Sequence, residues 1–239
     1  MVSSGFAAKG TTLVWNNVPV LELTNIGIPV AVADDVDITN HDSAFDYEEF
    51  VPGILRGGDF EVEGNLLPGD TDGQVAVLGD LQSRTSRAAI IIGPAGKYNF
   101  HFTAYCKKFS PSAPVEGKSS VTMGFKVSGK STMYTTASAG LTTPFFALRD
   151  NGGNAVTPTP AAANAVYHYA ATLDAGDTAI AIQPTATAGT IRVNGTAVTT
   201  GNWSADIPVA AGTTRQVVVE VREANKSSKV YRIFATRPA

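Results

Sequence analysis

A chain of 239 residues with 16% charged and 44% hydrophobic side chains is too long for one small domain, short for three, and too lean in charge for a disordered one. The formal net charge of -3 hides an asymmetry, because residues 34–72 hold twelve Asp or Glu against the single basic Arg56, and no basic tract invites nucleic acid to bind. Cys106 is the only cysteine, which excludes an intrachain disulfide and a multi-cysteine zinc site and reads as core filling. The N-terminal MVSSGFAAKGTT lacks an apolar signal core and no run approaches the ~18 apolar residues of a membrane span, so the chain is expected to fold in a cytoplasm, without membrane insertion. Sequons at Asn194, Asn202 and Asn225 are read as chance.

Val, Thr, Ala and Gly dominate and helical periodicity is nowhere sustained, which is an all-β signature. Strands are expected at Val20–Thr24, Val30–Thr39, Asp59–Leu66, Ala88–Ile92, Tyr98–Cys106 and Val121–Ser128. In the fifth, Tyr98, Phe100, Phe102, Ala104 and Cys106 recur at period 2, and Val121, Met123, Phe125 and Val127 repeat the pattern. PGDTDGQVAVLGDL reads as one short helix, with Asp70 or Thr71 as N-cap, acidic residues in the first turn, and Val75, Leu78 and Leu81 on its apolar face. Small polar residues ending in Pro over 131–144 suggest a linker, which divides the chain into domains at 1–131 and 145–239 with 132–144 between. The second domain has turn signals every eight to twelve residues, a type I′ hairpin signal at Asn194-Gly195, and near charge balance.

HDS at 41–43 contains the letters of a hydrolase relay. In an extended segment, however, His41 and Ser43 point to one face and Asp42 to the other. No GxSxG elbow surrounds any serine. Asp34, Asp35 and Asp37, or Asp70 and Asp72, lack the spacing of a calcium loop and read as turns and helix caps. Gly93 and Gly96 in IIIGPAGKY are turn residues rather than a phosphate cradle. No catalytic residue, metal or cofactor is expected. The carboxylates do have regularity: Asp59, Glu61 and Glu63 share a strand face opposite Phe60 and Val62, and Asp35 and Asp37 oppose Val36 and Ile38. Two such strands paired in one sheet make either a solvated outer face or a negative wall that lets DNA pass without sticking.

The stretch from DITNHDS through EEFVPGILRGGDFEVEGNLLPGD to GQVAVL resembles the major tail tube proteins of long non-contractile-tailed phages. In that family a strand ends in a similar HDS motif, a long loop carries ExFxPGLxDGG, and the returning strand leads to a P-x-D turn and a short helix. The resemblance covers residues 10–131. It implies a β-sandwich or partial barrel with one flanking helix, assembled as hexameric rings that stack into a tube within the virion. The lumen would conduct DNA, with Asp35, Asp37, Asp59, Glu61 and Glu63 as lumen-facing candidates. The family's long loop makes contacts between subunits and rings, which carries over to Phe45, Tyr47, Glu48, Phe50, Val51, Ile54 and Arg56, although Arg56 departs from the acidic or polar residue common before the Gly pair. Further partners implied are the tape measure, tail tip and terminator proteins.

Residues 145–239 resemble the Ig-like and cadherin-like β-sandwich modules appended to such subunits, on IRVNGTAVTTG, VAAGTTRQVVVEVREAN and KVYRIFATR. Weak host-surface or glycan contact is implied, with Trp203, Tyr167 and Tyr169 either a sugar-stacking platform or buried sandwich aromatics. The competing reading is a two-domain adhesin-like protein that binds a carbohydrate or cell surface.

Overall fold

The structure, a computed structural model, describes residues 7–43 and 47–239. The first elements are β1 (Thr12–Trp15), β2 (Val18–Pro19), β3 (Leu23–Ile26), β4 (Val32–Asp37), β5 (Phe50–Arg56), β6 (Asp59–Asn65), helix α1 (Gln74–Ser83), β7 (Ser86–Ile92), β8 (Asn99–Ser112) and β9 (Ser120–Tyr134). There follow β10 (Phe146–Asp150), β11 (Ala155–Val156), β12 (His168–Thr172), β13 (Ala179–Pro184), β14 (Thr190–Val193), β15 (Thr196–Val198), β16 (Ile207–Pro208), β17 (Thr214–Arg222) and β18 (Lys229–Thr236). The chain is mostly β, with a curled half-barrel sheet of order β2-β1-β7-β8-β9-β6-β3 and a separate β-sandwich. Its residues fall into two compact units, one of Val20–Ala89 with His101–Thr132, the other of residues 7–19, Ile90–Phe100 and Met133–Ala239.

In the first unit, period-2 alternation buries one face of each long strand. Phe60 and Val62 of β6, Phe102, Ala104 and Cys106 of β8, and Val121, Met123, Phe125 and Val127 of β9 are all buried. Phe60 stacks on Phe125 with centroids 5.0 Å apart and meets the edge of Phe102 at 5.3 Å. Each such side chain stabilises the fold by roughly 1.5–3 kcal/mol relative to leaving it in water. Cys106 is core filling, and burial pushes its thiol up to about 11, so it stays protonated and unreactive at neutral pH. β8 and β9 run beyond their expected ends through exposed residues such as Lys107, Lys108, Gly129 and Lys130. The strand expected at Val20–Thr24 begins later, because Glu22 takes a left-handed φ of 58° that interrupts extended backbone.

The helix starts at Gln74 with Gly73 as N-cap, has no acidic residue in its first turn, and leaves Val75 exposed, all contrary to expectation. Its inward stripe is Gln74, Val77 and Asp80. Asp70 nevertheless serves the helix start, since its Oδ2 accepts from Gln74 N at 2.9 Å and from Leu21 N at 3.0 Å. Gln74, only 1% exposed, accepts from Leu67 N at 3.0 Å and donates to Leu21 O at 3.0 Å and Asn65 O at 2.9 Å. One buried amide thus joins three segments of chain. Asp80 accepts a two-pronged contact from Arg87 Nε (3.0 Å) and Nη2 (2.8 Å), which ties the helix to β7.

The sandwich of the second unit packs β11-β10-β13-β16 against β12-β18-β17-β14-β15. Leu148, Tyr169, Ile180, Ile182, Val219, Tyr231 and Ile233 lie in its core. The Asn194-Gly195 pair turns β14 into β15 with φ of 46° and 87°, both positive as a type I′ turn requires. β9 runs to Tyr134, Ser138 N donates to Ser227 O at 2.8 Å, and Leu141 is 1% exposed in the sandwich core.

Candidate assembly surfaces

The acidic and aromatic stretch that resembles a family loop is a β-hairpin arm. β4 and β5 form a two-stranded antiparallel sheet, with Val32 opposite Arg56, Val36 opposite Val51 and Asp37 opposite Phe50, and a bulge between Ala33 and Asp35. Neither strand buries a residue. Tyr47, Ile54 and Leu55 are 74%, 72% and 76% exposed, and Val30, Val32, Val36, Ile38, Phe50 and Val51 are exposed as well. The register places Pro52 and Phe50 on the face that also carries Asp35 and Asp37, while Val36 and Val51 share the other. Both faces of the arm therefore present apolar area to solvent, which exceeds what isolated surface hydrophobics need. Glu48 is exposed beside them, and Phe45 lies outside the described residues.

The arm holds its shape through polar contacts. Arg56 grips Asp34 with Nε at 2.9 Å and Nη2 at 2.6 Å, so the departure from the family pattern at Arg56 has a local partner. That contact lowers the Asp34 carboxyl below its ordinary value. At the tip, Thr39 N donates to Asp37 Oδ1 at 2.8 Å and Glu49 N to Thr39 Oγ1 at 2.8 Å. His41, Asp42 and Ser43 are part of this turn rather than the end of a strand. Asn40 N donates to Ser43 Oγ at 3.0 Å, and Asp42 N to Asn40 Oδ1 at 2.8 Å. Among the described residues no contact joins the three side chains into a relay, and no group of three or more His, Cys, Asp and Glu is placed to hold a metal.

The arm joins β6 at Gly57-Gly58. Gly58 has φ of +69°, and a Cβ there would strike the Val30 carbonyl oxygen, while one at Gly57 would lie 2.6 Å from Val127 Cγ1. Both the left-handed backbone and the close approach demand glycine. Gly58→Ala is expected to lower stability by about 1–3 kcal/mol, measured by chemical denaturation.

On β6 the burial pattern alternates strictly, so Asp59, Glu61 and Glu63 share the exposed face of the sheet as expected. Two features of the sheet bear on that face. β4 and β6 do not share a sheet, because β6 lies between β9 and β3, so Asp35 and Asp37 do not continue this face by strand pairing. Lysines also occupy it: Lys126 and Lys107 reach the two oxygens of Asp59 at 2.9 and 2.7 Å, and Lys108 approaches Glu61 at 3.5 Å. The sheet face has mixed charge rather than a bare negative wall. Hydrogen bonds from Lys107 and then Lys126 hold the Asp59 carboxyl below its ordinary 3.8. The favourable contribution is present above the unfolded value and lost as pH falls through the lowered folded one. An NMR titration is expected to put Asp59 below 3.8, and replacing Lys107 and Lys126 together by alanine to return it to the ordinary range.

Of the three aromatics considered as a sugar platform, Tyr169 is buried, with its single hydroxyl proton shared between Ala163 O at 2.7 Å and Val166 O at 2.8 Å. Tyr167 stacks on Tyr231 at 5.3 Å, and Trp203, exposed, has the Arg149 guanidinium 4.9 Å from its ring. Burial removes Tyr169 from any such platform.

The family described as cadherin-like beta sandwich domain matches residues 154–238, and the second sandwich is a domain of that Ig-like, cadherin-like kind. No curated protein matches the chain. Among solved structures, a chain of the anti-feeding prophage tube-terminating cap is similar with TM-score 0.47 and 11% identity, over 57% of this chain and 95% of its own. A chain from the virion of a native gene transfer agent particle gives 0.46 and 12%, over 54% and 98%. One from the sheath-tube complex of an extracellular contractile injection system gives 0.46 and 9%, over 56% and 95%.

Proposed function

We propose that this chain is a structural subunit of a phage tail tube, without catalytic chemistry. The β4–β5 arm carries the reading, because an isolated two-stranded hairpin is marginal in water and this one exposes apolar residues on both faces. A second copy of the chain supplies the missing surface. Tyr47, Glu48, Phe50, Val51, Ile54 and Arg56, with Phe45, make these contacts, and hexameric rings stack into a tube of the long non-contractile kind. Residues 1–131 carry the tube domain, of which 7–19 and Ile90–Phe100 cluster with the second unit, and 145–239 are a decoration module joined by 132–144. The exposed face of β6 lines the lumen through Asp59, Glu61 and Glu63, with Asp35 and Asp37 contributing from the arm. Lys107, Lys108 and Lys126 on that sheet temper the repulsion, so the wall neither binds DNA strongly nor excludes it. Tape measure, tail tip and terminator proteins are the remaining partners, met during assembly in the host cytoplasm. Light scattering on a size-exclusion column tests this: mass should rise with loading concentration, and a fixed monomer mass across the accessible range would sink the reading.

A further inference from the structure

Within the second unit, the segment at Lys9-Gly10, the turn at Gly93–Ala95 and the start of β12 beside β18 enclose a cavity of about 410 Å³. Its charged and titratable lining consists of Lys9, His168, Arg232 and Tyr167, with Pro94 and Val230 among the apolar walls and no Asp or Glu among the lining residues. Arg232 is half-buried and is held from one side only. Its Nη2 donates to Gly10 O at 3.1 Å and to Thr12 Oγ1, and no carboxylate pairs with it among the described residues. His168 sits opposite Arg232 in the parallel β12–β18 register. Burial lowers its pKa below 6.5 and the nearby charges of Arg232 and Lys9 lower it further, so at neutral pH it is an uncharged ring near two cations. Burial also opposes the charge on Arg232, a cost that an anion beside it would offset.

We infer that this cavity is a binding site for a small ligand bearing an oxyanion, a carboxylate, phosphate or sulfate, seated between Arg232 and Lys9. The basis is unbalanced positive charge in a concave site: surface lysines and arginines in water need no partner, whereas a half-buried guanidinium facing a cavity shared with a second cation does. The volume lies at the lower end of small-molecule sites and suits a group of about saccharide size. Tyr167 is also among the lining residues. The inference is independent of ring assembly and applies equally to a monomer.

Calorimetric titration of the full chain at fixed ionic strength with inorganic phosphate, glucuronate and glucose tests it. Phosphate and glucuronate are expected to bind and glucose not to. Glucuronate binding more tightly than phosphate would assign the ligand to an acidic saccharide, and equal affinity to the free oxyanion. Lys9→Ala, at an exposed position, should weaken both anions about tenfold without altering the fold. The His168 ring resonances should shift on addition of either anion and stay put with glucose. Arg232→Lys keeps the charge but loses the fork and should weaken binding as well. If that variant unfolds, Lys9→Ala still decides. No heat and no His168 shift with either anion, glucose binding as well as glucuronate, or an unchanged affinity in Lys9→Ala would overturn the inference.

Discussion

Ile54 and Leu55, changed together to aspartate, are expected to give a folded protein that no longer self-associates. The two side chains are 72% and 76% exposed, and neither strand of the arm buries a residue against the chain itself. Their loss therefore removes little from the fold of the single subunit. In an interface each would contribute roughly 1.5–3 kcal/mol of apolar burial, so removing both weakens association by on the order of 10²–10⁴-fold before the cost of burying a new carboxylate is counted. Sedimentation and thermal unfolding separate the outcomes. Unchanged assembly would remove the arm from the interface, and a large loss of thermal stability would mean that the arm packs on its own subunit.

The second large effect lies inside the subunit. Gln74→Leu is expected to lower stability by about 3 kcal/mol, because three hydrogen bonds disappear and Leu67 N–H, Leu21 C=O and Asn65 C=O lose the partner that the buried amide gave them. Gln74→Glu should do no better, since a second carboxylate oxygen would then face the two carbonyls to which Nε2 donates. For a chain of this size the melting temperature should fall by about 10 °C in either variant. A fall of a degree or two would show that water replaces the amide without loss.

What the sequence revealed and hid follows from how local each signal is. Alternation is local, so Phe60 and Val62 against Asp59, Glu61 and Glu63 was legible, as were Phe102, Ala104 and Cys106 of β8, the period-2 set of β9 and the Asn194-Gly195 turn, whereas Tyr98 precedes β8 and Asn99, expected on the other face, is buried. β5 was hidden by Pro52 and Gly53, residues that usually argue against a strand. Here Pro52 sits in a hairpin with only one partner strand, close to the bulge at Ala33–Asp35. The lysines on the β6 face were not legible because they come from strands remote in sequence: Asp59 meets Lys107 and Lys126 only through sheet order. Gln74 gave no signal at all, since a glutamine in a helix reads as surface until Leu21, 53 positions away, is seen to accept from it. Lys9 and Arg232 are separated still further along the chain and meet only at the cavity.

The arm and the mixed-charge sheet face matter to function only if copies of the chain build a tube. Negative-stain microscopy of the purified full-length protein, concentrated at neutral pH, asks this directly. Rings or stacked tubes with a central channel are the expected images, and they should be absent from the Ile54→Asp, Leu55→Asp variant. A uniform field of single particles at every concentration, from protein whose melting shows it to be folded, would contradict the account.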